Sequence, residues 1–224
     1  MSRIKICGIT DVAHVEAIAE AGADLIGVFV NTPSPRQITP EKAVEIASAA
    51  KKQGLPVVGV FVNAPAAEVN NIASGCGLDW VQLSGDEDTE CCRQIEKPLI
   101  KAVHIAPDWD EPYLLDHLES YQRELRHNSP IYLLDTHVED KYGGTGQSFS
   151  WDIAKRAAES YPVIIAGGLN PKNVGRVVAE LKPWGVDVSS GVESGGAKDI
   201  KKIKAFIAAV RRARARLYRT KGGQ

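Results

Sequence analysis

The chain has 224 residues, 44% of them hydrophobic and 25% charged, with a formal net charge of −1. This is the balance of a soluble globular protein with enough core to fold without disulfides or a structural metal, and it gives no sign of a polyanionic partner. The opening MSRIKICGIT holds no apolar run of signal-peptide length, and nothing later approaches the ~20 apolar residues of a membrane span. The four cysteines, Cys7, Cys76, Cys91 and Cys92, lack the separated pairs of a zinc site, so reduced thiols in a cytoplasmic protein are the expectation.

Eight short runs rich in Val and Ile follow one another along the chain, at residues 3–7, 24–29, 56–61, 78–83, 98–104, 130–135, 162–166 and 185–189. They are mostly continuous rather than alternating in polarity, as strands buried on both faces are. Between them lie stretches with helical spacing. Residues 11–21 carry Val12, Val15, Ile18 and Ala19 on one face, and Thr39 precedes Pro40 as an N-cap precedes a first-turn proline. Ser150, Asn170 and Asp199 stand where later helices should start.

Eight such units predict a (β/α)8 TIM barrel that fills residues 1–224 as a single domain; a doubly wound open sheet is the competing architecture. From about residue 210, Arg211, Arg212, Arg214, Arg216, Arg219 and Lys221 read as the solvated, partly frayed end of a last helix rather than as a nucleic-acid contact.

In such a barrel the active site lies on the loops after the strands. Glycine-rich stretches fall there after the sixth, seventh and eighth runs: Gly143-Gly144-Thr145-Gly146, Gly167-Gly168-Leu169-Asn170 and Ser189-Ser190-Gly191. Glycine lets backbone N–H groups approach an anion, so three at consecutive strand ends point to a small phosphorylated substrate. Cys7 ends the first run, a buried hydrophobe by default but placed to act as a base or nucleophile. Asp135 ends the sixth behind four apolar or aromatic residues; it is either a loop-bracing carboxylate or a general acid. Arg36 in Ser34-Pro35-Arg36 is a surface residue or a fork for a carboxylate. Asp187 accepts from a sugar hydroxyl or braces a loop, and His104 is a ligand, a proton donor or a structural, hydrogen-bonded imidazole.

These stretches together resemble the phosphoribosylanthranilate isomerase family. The resemblance is carried by KICGIT at 5–10, SPRQI at 34–38, VQLSGDE at 81–87, LLDT at 133–136, GGTGQSFSWDI at 143–153, AGGLNPKNV at 166–174, DVSSGVES at 187–194 and GGAKD at 195–199. It spans nearly the whole chain and implies an Amadori rearrangement of N-(5-phosphoribosyl)anthranilate without metal or organic cofactor, in tryptophan biosynthesis. By the same resemblance Asp135 protonates the ring oxygen and Cys7 removes the C2 proton. Arg36 holds the anthranilate carboxylate, Asp187 lies near the ribose hydroxyls, and Gly144, Gly168, Ser190 and Gly191 line the phosphate site.

One position departs: the family's fourth-strand motif reads VQLHG, whereas residue 84 here is Ser84, which still donates and accepts hydrogen bonds. Altered binding with the acid and base kept is the expectation. Other phosphate-binding barrels, such as epimerases and synthases, would not carry KICGIT, SPR and the LLDT aspartate together. A non-catalytic metabolite binder has no need of an acid–base pair. The expected partners are thus a small-molecule substrate, no nucleic acid and no membrane, in a monomer or a homodimer.

Overall fold

The structure, a computed structural model, describes residues 2–125, 129–136 and 151–221. Its eight strands are β1 (Arg3–Cys7), β2 (Leu25–Asn31), β3 (Val57–Phe61), β4 (Trp80–Leu83), β5 (Leu99–Ile105), β6 (Ile131–Thr136), β7 (Val163–Ile165) and β8 (Gly185–Val188). Each pairs in parallel with the next, and β8 closes on β1 with Arg3 opposite Gly185 and Lys5 opposite Asp187. That last pairing rules out the open sheet.

Four of the expected runs open on a proline, at 56, 98, 130 and 162, and in each the strand starts one residue later. Proline has no N–H for the ladder, but its carbonyl still accepts. Pro56, Pro98 and Pro162 accept from Ile26, Val81 and Tyr132 on the neighbouring strands.

Helices α1 (Ala13–Ala21), α2 (Pro40–Lys52), α3 (Ala66–Gly75), α4 (Thr89–Arg93), α5 (Glu111–Glu124), α6 (Lys155–Ser160), α7 (Val174–Leu181) and α8 (Ile200–Lys221) surround the barrel. In α2 the Thr39 side chain accepts from the Lys42 N–H, Pro40 opens the helix, and Ala43, Ile46, Ala47 and Ala50 make the buried stripe. Asp199 likewise accepts from the N–H groups of Lys201 and Lys202 at the start of α8. Asn170 does not start a helix: α7 begins at Val174, with Asn173 at its N-cap. Both asparagine side chains are spent within the loop instead. Asn170 Oδ1 accepts from Lys172 N–H, and Asn173 Oδ1 accepts from Asn170 N–H. Ser150 lies outside the described residues.

Two apolar layers result. Between sheet and helices pack Ile4, Ile6, Ile26 and Val186 from the strands against Val15, Ile18, Ile46, Val178 and Phe206. Inside the barrel, Leu25, Val58, Ile100, Ala102, Leu133, Ile164 and Ala166 form a second cluster, flanked by Trp80, Ile131 and Trp184. A fully buried Leu, Ile or Val contributes roughly 1.5–3 kcal/mol, so this inner layer makes the barrel a packed core rather than a pore. At the floor the Arg3 guanidinium lies 4.4 Å from the centroid of the Trp184 ring. A two-stranded hairpin, β9 (Glu193–Ser194) and β10 (Ala197–Lys198), stands between β8 and α8; the sequence pattern did not announce it.

Candidate active site

Side chains alternate across a strand, so on β1 the residues that share the barrel interior are Arg3, Lys5 and Cys7. Cys7 reaches the upper rim and lines a cleft together with Gln82, Ser84, His104, Asp135 and Asp187. Five different strands therefore converge on one cavity at the C-terminal end of the barrel. Asp135 is buried, 8% exposed, and His104 sits opposite it in the β5–β6 register. The His104 ring nitrogen Nε2 lies 2.9 Å from the Ser84 carbonyl oxygen, and the Ser84 hydroxyl accepts from Gln82 Nε2 at 2.8 Å.

A second hollow opens from the same rim. It is lined by Ala166, Gly167, Gly168 and Leu169 after β7, by Val188, Ser189, Ser190 and Gly191 after β8, and again by Asp135 and Asp187. Gly191 is there for space. A Cβ at that position would lie 1.8 Å from the Leu169 carbonyl oxygen, so only glycine lets the two loops close together. Backbone N–H groups on adjacent loop ends are the means by which this fold holds a phosphate. Three of the four residues expected to line that site, Gly168, Ser190 and Gly191, are brought together here. The fourth, Gly144, lies outside the described residues.

The electrostatics beside Cys7 were not foreseen. Lys5, 1% exposed, donates to Asp187 Oδ1 at 2.9 Å inside the barrel. Burial by itself would strip the Lys5 proton, but Asp187 reverses this and raises its pKa. Burial pushes the Cys7 thiol up, and the Lys5 ammonium opposes that rise. Asp187 is thus engaged by a lysine from β1 while its other edge borders both hollows.

Arg36 is also engaged. Its Nε and Nη2 donate to the two carboxylate oxygens of Glu193, each at 2.8 Å, in a side-on pair. Lys198 Nζ meets the same carboxylate at 2.7 Å and donates to the Ser189 carbonyl. Burial alone would raise the Glu193 pKa, yet the two cations hold it down at about 2. Arg36 therefore stands beside the cleft with its Nη1 edge outside this pair.

Lys5, Glu193 and Lys198 escaped the sequence reading. The signal for Lys5 was present, since it is two residues from Cys7 in a strand and so on the same face. Glu193 and Lys198 carry no such mark, because their relation to Arg36 exists only once the hairpin folds over the rim. Two further buried groups at the cleft are Thr32 Oγ1 and Gln82 Oε1, which have no hydrogen-bond partner among the described residues. Also among the described residues, no group of three or more His, Cys, Asp or Glu is arranged to hold a metal ion.

The model of the family described as N-(5'phosphoribosyl)anthranilate (PRA) isomerase matches residues 4–209. The chain belongs to the N-(5'-phosphoribosyl)anthranilate isomerase family. Its similarity to the isomerase of Dehalococcoides mccartyi is 47% identity over 215 residues, covering 95% of this chain and 97% of that one. Among solved structures, the phosphoribosyl anthranilate isomerase of Thermotoga maritima superposes with a TM-score of 0.82 at 35% identity, covering 94% of this chain and 99% of that one. A phosphoribosyl anthranilate isomerase in complex with reduced 1-(o-carboxyphenylamino)-1-deoxyribulose 5-phosphate matches with a TM-score of 0.79 at 34% identity over 94% and 99% of the two chains. The isomerase family and the barrel expected from the sequence are the ones found.

Proposed function

We propose that this chain isomerises N-(5-phosphoribosyl)anthranilate to 1-(2-carboxyphenylamino)-1-deoxyribulose 5-phosphate in tryptophan biosynthesis, with Asp135 as acid and Cys7 as base. The observation that carries the roles is that Cys7 and Asp135 line one cleft while Asp135 also lines the glycine-walled hollow beside it. A substrate anchored by its phosphate over Gly168, Ser190 and Gly191 extends its ribose between the two groups.

Asp135 protonates the furanose ring oxygen, the C1–O bond breaks, and the anilinic nitrogen takes the positive charge as a protonated Schiff base. That charge acidifies the C2 proton, so the Cys7 thiolate removes it and the electron pair collapses toward nitrogen to give an enolamine. Tautomerisation yields the ketone. Neither step needs a metal or an organic cofactor. The uncommitted edge of Arg36 takes the anthranilate carboxylate, and Gln82 Oε1 and Thr32 Oγ1 offer acceptors to the sugar hydroxyls.

The same reading takes the chain as one domain, at work in the cytoplasm as a monomer or homodimer and without a nucleic-acid partner. No helix among the described residues is long and apolar enough to cross a membrane.

The test follows the loss of anthranilate fluorescence with substrate generated in situ. Positioned acid–base groups contribute about 10²- to 10⁴-fold, so Cys7→Ser and Asp135→Asn should each lose at least about a hundredfold in kcat with circular dichroism unchanged. Near-full activity in either folded variant removes that residue from its role. An inactive unaltered chain removes the reaction.

A further inference from the structure

Between the Arg3 floor and the cleft at the rim, the inner cluster of this barrel is apolar, and one buried ion pair interrupts it. Beneath the Cys7 thiol lies the Lys5–Asp187 ion pair, with the lysine side chain 1% and the aspartate side chain 11% exposed. An isolated pair of this kind is costly to bury and is not an efficient source of stability. Its placement is therefore informative. Lys5 stands two residues before Cys7 on the same face of β1, and Asp187 is its direct partner across the β1–β8 seam.

On the other side of β1, Gly27 of β2 leaves the space the two groups share. A Cβ there would lie 2.6 Å from Cys7 Sγ and 3.1 Å from Lys5 Nζ. No side chain from β2 separates the sulfur from the ammonium.

We propose that Lys5 is the positioning residue of the proton abstraction: its ammonium, kept charged by Asp187, holds the Cys7 sulfur in place and stabilises its thiolate. The inference rests on the reading of Cys7 as the base. The chain Asp187–Lys5–Cys7 then divides the work between a carboxylate that fixes a charge, a cation that carries it to the sulfur, and a sulfur that meets the substrate. When Cys7 takes the C2 proton the ammonium is left with Asp187 as its counter-ion, so the barrel interior never holds an unpaired charge. The direction of the shift agrees with this arrangement, since burial raises the Cys7 pKa and Lys5 is the largest influence lowering it.

Other charges face the same thiol. Lys198 of β10 lowers its pKa further, while Asp187 opposes, and Arg36 lies on the loop after β2. Asp135 and His104 border the cleft from β6 and β5. Lys5 is the one cation among them that lies below the sulfur within the barrel, beside its partner Asp187, and it is 1% exposed.

The experiment is the rate of Cys7 carbamoylmethylation by iodoacetamide from pH 6 to 11, followed on the Cys7 peptide by mass spectrometry, in the unaltered chain and in Lys5→Met. The plateau rate at high pH reports access to the sulfur, and the midpoint reports its ionisation. An opposite charge within about 4–6 Å moves a pKa by about 1–3 units, so the midpoint should rise by at least about one unit and the rate at neutral pH should fall about tenfold or more. The low-pH limb of kcat/KM should move the same way. A changed plateau with an unmoved midpoint gives Lys5 a packing role only and overturns the proposal.

Should Lys5→Met not fold, the coupling is read in the unaltered chain labelled with 13Cε-lysine. The Lys5 resonance, told apart from that of Lys198 with Lys198→Gln, must step at the Cys7 midpoint and stay flat in Cys7→Ser; no step overturns the proposal. Full isomerase activity in Cys7→Ser would instead sink the catalytic reading, and neither the alkylation nor the resonance depends on activity.

Discussion

Two of the buried lysine–carboxylate pairs among the described residues have nearly equal geometry and lie on opposite faces of the sheet. Lys5 meets Asp187 at 2.9 Å inside the barrel, and Lys101 meets Glu87 at 2.8 Å between the sheet and the helices. The second pair is saturated. Lys101 also donates to the Gly85 carbonyl, and Glu87 accepts from the N–H groups of Gly85 and Asn63, so every strong contact ends on the backbone of the β3 and β4 loops. The first pair is left open on the cleft side: Asp187 and Cys7 both line the cleft, with Cys7 two residues beyond Lys5 on the same face of β1. Equal chemistry thus serves two ends, and what separates them is whether a valence remains over for a third party.

Removing each cation in turn tells the two pairs apart. Taking one partner from a saturated buried pair leaves an uncompensated charge, so Lys101→Met should cost about 3–5 kcal/mol in urea unfolding, with kcat of the folded fraction retained. Lys5→Met should lose less stability, since Asp187 borders the cleft and water can reach it, and more activity. Equal stability losses would erase the distinction.

A smaller effect is expected at the hairpin, where Glu193 answers to Arg36 and Lys198. Its folded pKa of about 2 lies below the ordinary 4.5, so its stabilisation is complete above about pH 4.5 and is lost as pH falls through about 2. The stability difference between the unaltered chain and Glu193→Gln should accordingly be flat from pH 7 to 5 and shrink below 4. A difference that stays constant down to pH 2 would mean that the carboxylate charge contributes nothing. The smallest effect belongs to Ser84→His. The serine hydroxyl already accepts from Gln82, and both proposed proton-transfer groups lie elsewhere, so KM should move a few-fold in steady-state kinetics while kcat holds. Recovery of activity from near zero in Ser84→His would place the fourth strand at the centre of the chemistry.

The barrel was legible because parallel strands covered on both faces must be apolar throughout, and 57–61 or 131–134 can be little else. Thr39 and Asp199 were legible for a local reason, as each satisfies N–H groups within three residues of itself. Asn170 misled by the same logic: asparagine caps turns as readily as helices, and here it closes a turn within the loop. Cys7, Asp135 and Asp187 were found by their places at strand ends. Glu193 and Lys198 were not, since nothing in GVESGGAKD says that its acid will lie against an arginine 157 positions away. Lys5 carries a same-face relation to Cys7 in the sequence, but its partner Asp187 stands 182 positions away and meets it only when the barrel closes.

That pairing sets an order of events during synthesis. Lys5 and Asp187 are separated by 182 positions. At roughly 5–20 residues per second, the ribosome makes the lysine about 10–40 s before the aspartate that neutralises it. Until β8 emerges, β1 has an unzipped edge and an ammonium with no counter-ion to follow it into the dry interior. β1 is therefore locked on both edges only after β8 has been made, and the cleft that it carries is assembled no earlier.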